Sequence, residues 1–221
     1  MLAEELIDPL LPTLRPTDTV GKALDWMQEF RMTQLVLAEE ERYAGILSEE
    51  RLMNADEDDF LTEVQPEHPT VSVQPYQHVY DLLRTTQLYQ LDVLPVVTED
   101  QTFVGSIAVN ELLKRFAADL GTQEEGAIMV LQMDDRDYSM NEVSRLVESN
   151  DVKIISSYFN SGNYENNQPG RLTLKLNRRN IKAVIATFER YNYVIESVFT
   201  AEALDNTDQE RLDLLLRYLN M

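Results

Sequence analysis

The 221-residue chain contains no cysteine, which excludes disulfides, thiolate nucleophiles and Cys-ligated zinc. It has two histidines, His68 and His78, too few for a His-rich metal site or a Ser-His-Asp relay. Basic residues are also scarce: 19 Lys and Arg against 39 Asp and Glu leave a net charge of −20. A surface so acidic is poorly suited to displacing counterions from nucleic acid or to docking on anionic lipid. No apolar run is long enough to span a bilayer, and the start, Met1-Leu2-Ala3-Glu4-Glu5, is acidic where a secretion signal is basic. A cytoplasmic protein is therefore expected. Glycine-rich phosphate loops, nucleophile elbows and metal-ligand clusters are likewise missing, so no catalysis is expected.

What is present is a repeat. Thr13-Leu14-Arg15-Pro16-Thr17-Asp18-Thr19-Val20 aligns with Ser72-Val73-Gln74-Pro75-Tyr76-Gln77-His78-Val79 at an offset of 59 residues. Leu35-Val36-Leu37 matches Leu94-Pro95-Val96 at the same offset, and Tyr43–Leu47 matches Phe103–Ile107 at 60. In each copy a short strand and Pro lead to a helix with one apolar face: Val20, Ala23, Leu24 and Met27, or Val79, Leu82 and Leu83. Two strands follow, 34–37 with 43–47 and 93–97 with 103–107. A closing helix is predicted to turn Leu52 and Met53, or Leu112, Leu113 and Phe116, inward. The acidic stretch Asn54–Asp59 between the copies could offer oxygens to Mg²⁺ or Ca²⁺, but it lacks a calcium loop's glycine and terminal glutamate and reads better as a solvated linker. His68 and His78 are expected at the surface, neither with a partner to make a site, and Trp26 and Phe30 as core or interface fill.

This pattern resembles a tandem pair of cystathionine-β-synthase-type (CBS) domains over residues 1–120, with repeats at about 1–60 and 61–120. The Pro before the striped helix, the strand Leu94-Pro95-Val96-Val97 and the strand Gly before the second helix carry the likeness. The resemblance implies two clefts, each able to take AMP, ADP, ATP or a related adenosyl ligand; no cofactor is required. In such a cleft a Ser or Thr after the Gly-containing strand meets phosphate, and an Asp three residues later holds the ribose hydroxyls. Here the first repeat has Ser48 but Arg51 at the acid's place, while the second has Ala108 without a hydroxyl and Glu111 with a carboxylate. Two readings follow: an adenine nucleotide bound in the second cleft by Glu111 with Val73, Val93 and Pro95, or two vestigial clefts in a scaffold.

After Gly121–Gly126 the order changes. Strand 127–133, a helix opened by the capping box Ser139/Glu142 with Met140, Val143, Leu146 and Val147 inward, strands 152–159 and 172–176, a helix with Ile181, Val184, Ile185 and Phe188, and strand 193–200 make βαββαβ. Residues 126–200 thereby resemble an ACT-like ferredoxin-like domain, and the fold class expected for the whole is α+β. The family's amino-acid site has a glycine in the first strand–helix turn; here Asp134-Asp135-Arg136-Asp137-Tyr138 supplies three carboxylates instead. Residues 201–221 read as an amphipathic helix capped by Thr207 and Glu210, striped with Leu212, Leu215, Leu216 and Leu219. The combination is similar to acetoin-utilisation-type CBS regulatory proteins, a resemblance that leaves the biochemical role open; with no catalytic motif in the chain, a non-enzymatic regulatory protein is expected, or else a scaffold and dimerisation module. A homodimer is expected through helices bearing Trp26, Met27, Phe30, Tyr80 and Leu83.

Overall fold

A computed structural model describes residues 1–162 and 168–200. The chain divides into two compact units, the first running Met1–Ala117 and the second beginning at Ala118. The C-terminal helix expected over 201–221 lies outside the described residues.

The first unit contains the repeat. In the first copy β1 (Thr13–Leu14) leads to α1 (Val20–Phe30), β2 (Gln34–Glu39), β3 (Arg42–Ser48) and a single turn, α2 (Glu49–Leu52). In the second, α3 (Val79–Tyr89), β4 (Val93–Val97), β5 (Phe103–Ala108) and α4 (Val109–Asp119) follow. The leading strand of this copy is reduced to a parallel bridge between Val73 and Val96. Equivalence extends to details of conformation. Helices α1 and α3 both end on a non-glycine residue in the left-handed region, Arg31 and Gln90, each at φ 53°. Gly45 and Gly105 have φ 147° and 152°. A Cβ on Gly45 would stand 2.7 Å from the Pro66 ring and 2.8 Å from the Glu67 carbonyl oxygen; one on Gly105 would stand 2.6 Å from Ile7 Cγ2. Both positions need glycine for the same two reasons, a conformation side chains avoid and a segment lying directly above.

Those overlying segments cross between the copies. The stretch that precedes the first copy packs on the second: Ala3 N donates to Gln77 O, Glu4 N to Pro75 O and Asp8 N to Ser106 O, each at 3.0 Å. The stretch that precedes the second packs on the first, with Leu61 N donating to Asp18 O at 2.9 Å and Thr62 N to Pro16 O at 3.1 Å. Residues that touch their own equivalents mark the axis relating the copies. Asp92 Oδ2 accepts from both Thr33 N and Thr33 Oγ1 at 2.8 Å, and Arg42 bridges to Thr102. The buried core runs through both copies, from Leu14, Val20 and Leu35 to Val73, Leu82, Leu94 and Leu112.

Some expectations need correction. Met53 and Leu113 are 73% and 49% exposed rather than inward. Helix α2 ends after one turn, so its periodicity does not reach Met53, while Leu112 alone supplies the fully buried anchor of α4. Met27 shares the buried face of Val20 and Ala23, so it cannot serve an interface. His68 is half-buried and has partners: its ring meets Tyr89 edge-on at 5.5 Å and its carbonyl accepts from the Tyr43 hydroxyl at 2.8 Å. The acidic stretch is largely exposed, as a solvated linker is, and its backbone is also tied to α1, Asp59 O and Glu57 O accepting from Val20 N and Gly21 N. Among the described residues no cluster of three or more metal-ligating side chains occurs.

The second unit runs β6 (Ala127–Met133), α5 (Met140–Glu148), β7 (Ile154–Asn160), β8 (Gly170–Leu176), α6 (Lys182–Arg190) and β9 (Val194–Phe199). Its antiparallel sheet has the order β7-β8-β6-β9. Ala127, Met129 and Leu131 of β6 and Leu172, Leu174 and Leu176 of β8 bury one sheet face against Val143, Leu146 and Val147 of α5 and Val184 and Phe188 of α6. Ser139 caps α5, its hydroxyl accepting from Glu142 N at 3.4 Å.

Candidate functional site

The seven residues proposed for nucleotide binding fall into two places. Ser48 and Arg51 line an open cleft of about 500 Å³ together with Glu50, Asn54, Glu63, Val64 and Glu67. Ser48 ends β3 and caps α2, accepting from Arg51 N at 3.4 Å. The same hydroxyl donates to Glu67 Oε2 at 2.5 Å, and Arg51 Nη2 stands 3.6 Å from Glu67 Oε1. One carboxylate thus takes both the Ser48 hydroxyl and the Arg51 guanidinium. Glu67 is held there by its backbone, which exchanges hydrogen bonds with Ile46 at 2.7 and 2.8 Å.

The other five residues lie around the second repeat. Val73 N donates to Pro95 O at 2.9 Å, and Val93 sits directly opposite Ala108 across β4 and β5. Val73 and Val93 are fully buried, so their side chains belong to the core beneath any surface a ligand would touch. Glu111 lies in the first turn of α4, about half exposed, with Lys114 Nζ on its Oε1. The counterpart of Glu67 here is Asp8, whose carboxylate turns back on its own loop and accepts from Leu10 N at 2.9 Å. The two places are therefore unequal: one is a cleft that carries an internal carboxylate on its Ser and Arg, the other presents a carboxylate at the head of its helix. Glu67 is the residue the linear pattern did not single out, because it lies in the leading stretch of the second repeat, far along the chain from Ser48 and Arg51.

In the second unit the turn Asp134–Tyr138 borders a cavity of about 620 Å³ with Arg136, Glu142, Tyr191 and Tyr193. Burial, and then the Glu142 carboxylate beside it, push the Tyr193 phenol above its usual range. Asp135 Oδ1 accepts from Gly162 N at 3.1 Å, which ties the turn to the end of β7.

Residues 3–58 match the family model for the CBS domain. Among solved structures, a CBS domain pair/ACT domain protein from Thermotoga maritima superposes with a TM-score of 0.50 at 19% identity, over 54% of this chain and 99% of that one. The CBS domains of a transcriptional regulator from Streptococcus pneumoniae follow at 0.47 and 18%, covering 52% and 98%. CBSX2 in complex with AMP gives 0.46 and 17%, covering 53% and 96%. At such identities the likeness is one of fold. The first unit has the fold of a CBS domain pair, within a mixed α+β chain.

Proposed function

We propose that this is a non-enzymatic regulatory protein whose CBS pair takes an adenine nucleotide in one cleft, the second. The observation that carries this is the inequality of the clefts. Glu111 offers a carboxylate at the position where the ribose hydroxyls are expected, and a carboxylate can accept from both at once. In the first cleft the corresponding position holds Arg51, a donor only, already turned to Glu67. The second unit supports the ACT-like reading, since its βαββαβ connectivity and β7-β8-β6-β9 order with both helices on one face are those of a ferredoxin-like sheet. It would receive the signal from the pair or pass it to a partner protein. Exposed apolar side chains on the helices of the pair, Tyr80 and Leu88 on α3 and Leu113 on α4, support a homodimer formed through them. A scaffold without ligand is the competing reading, favoured by the absent hydroxyl at Ala108.

Isothermal calorimetry with AMP, ADP, ATP and S-adenosylmethionine tests the proposal. One site per chain is expected, weakened about ten- to a hundredfold by Glu111→Ala and little changed by Arg51→Ala. Two equivalent sites, or a Glu111→Ala protein that binds like the parent, would overturn it. Absence of binding to every ligand would favour the scaffold.

A further inference from the structure

We infer that Glu67 is a resident anion that closes the first cleft to phosphate. Three observations converge on it. Ser48 Oγ and Arg51 Nη2 are the hydroxyl and the cation lining the cleft, and both point to the two oxygens of this one carboxylate, at 2.5 and 3.6 Å. A carboxylate and a phosphate compete for the same donors, because both present several acceptor oxygens and negative charge. The reciprocal backbone pair with Ile46 fixes the segment that carries Glu67, so the side chain stays within reach of Ser48 and Arg51 without spending linker entropy. The second copy supplies an internal comparison. Asp8 occupies the equivalent strand-edge position, yet its carboxylate accepts from Leu10 N and leaves the head of α4 alone.

The clasp therefore sets the specificity of the first cleft. An approaching phosphate meets a like charge on the donors it would use, and Glu50 and Glu63 on the same lining reinforce the repulsion. Arg51 at this position is the partner of the Glu67 carboxylate. The inference deepens the reading of the clefts as adenine-nucleotide sites, and it concerns only the one that reading leaves empty.

The test uses the full chain in a Glu111→Ala background, which weakens the second site so that a gain in the first can be read. AMP and adenosine are titrated calorimetrically into this protein with and without Glu67→Gln, a change that keeps the side chain's shape and the backbone pair with Ile46. The ion pair is partly exposed, so the effect is modest: AMP should bind about tenfold more tightly once the charge is removed. Adenosine, which has no phosphate, should be unaffected. Adding Arg51→Ala should abolish the gain. Glu67→Ala, which removes the acceptor from Ser48 as well, should give at least the same gain and serves as the second variant. Equal AMP affinity with and without the Glu67 charge, an equal gain for adenosine, or a gain that survives Arg51→Ala would overturn the inference. The proposed function stands or falls separately, on the parent against Glu111→Ala.

Discussion

Replacing Asp92 with Ala should loosen the pairing of the two repeats. Its Oδ2 holds both the amide and the hydroxyl of Thr33 at 2.8 Å, and these bonds cross the axis between the copies. Hydrogen bonds to a charged acceptor contribute about 1.5–3 kcal/mol each. Water can reach the site, and Asp92 Oδ1 is buried without a protein partner, which already costs the native state something. Both considerations bring the pair to or below the low end of that sum, about 2–3 kcal/mol for the two bonds together. For a unit of this size each kcal/mol lowers the midpoint by roughly 3–5 °C, so a fall of about 6–15 °C is expected. Calorimetric melting, following the transition of the first unit, is the assay, because two units need not unfold together. Asp92→Asn keeps an acceptor for Thr33 and should lose about 1 kcal/mol at most. A cycle with Thr33→Ala should show about 1 kcal/mol of coupling through the hydroxyl. An Asp92→Ala protein as stable as the parent, or strict additivity in the cycle, would refute the assignment of this bond as a tie between repeats.

The glycine pair should respond unequally to alanine. Gly45→Ala drives a methyl into the Pro66 ring and the Glu67 backbone and should cost about 2–4 kcal/mol by urea denaturation, whereas Gly105→Ala meets a side-chain methyl, Ile7 Cγ2, and no backbone, and should cost less. Equal losses would be inconsistent with these surroundings. Burial raises the Tyr43 hydroxyl well above its ordinary pKa of about 10. The unfolded chain therefore releases this proton first, and the stability is full below about pH 10 and declines above it. Tyr43→Phe should flatten that decline, and an unchanged alkaline limb in the variant would argue against it.

The duplication was legible because strands and helix faces repeat in the sequence at a fixed offset, and the apolar residues that mark them also build the core. The alternation of Leu172, Leu174 and Leu176 gave β8 for the same reason, since one face of the sheet is buried and the other is not. Periodicity misled at Met53, where it was extended past a helix that stops after one turn, but held at Met27, which is buried beside Val20 and Ala23; only its added assignment to an interface fails. Ser48 and Arg51 could be picked out from their place after the strand. Their partner could not, since Glu67 lies nineteen residues from Ser48 and is brought to it only by the strand-edge pairing with Ile46. Nor does the order of segments reveal which copy each leading stretch covers.

That crossover of the leading stretches bears on how such a chain could arise. A single copy with its own leader has nowhere to place it except on another copy, because the leader fits the neighbouring repeat and not the one it precedes. A one-repeat ancestor would close only as a dimer of exchanged leaders, with the Gly45-like position of each subunit roofed by the other. Joining two copies in tandem turns that bimolecular exchange into an intramolecular one, in which the effective concentration of each leader no longer depends on how much protein is present. Once joined, neither copy has to match an identical partner, and here they differ: Glu67 stands over Ser48 and Arg51 in one, while Glu111 heads the last helix of the other.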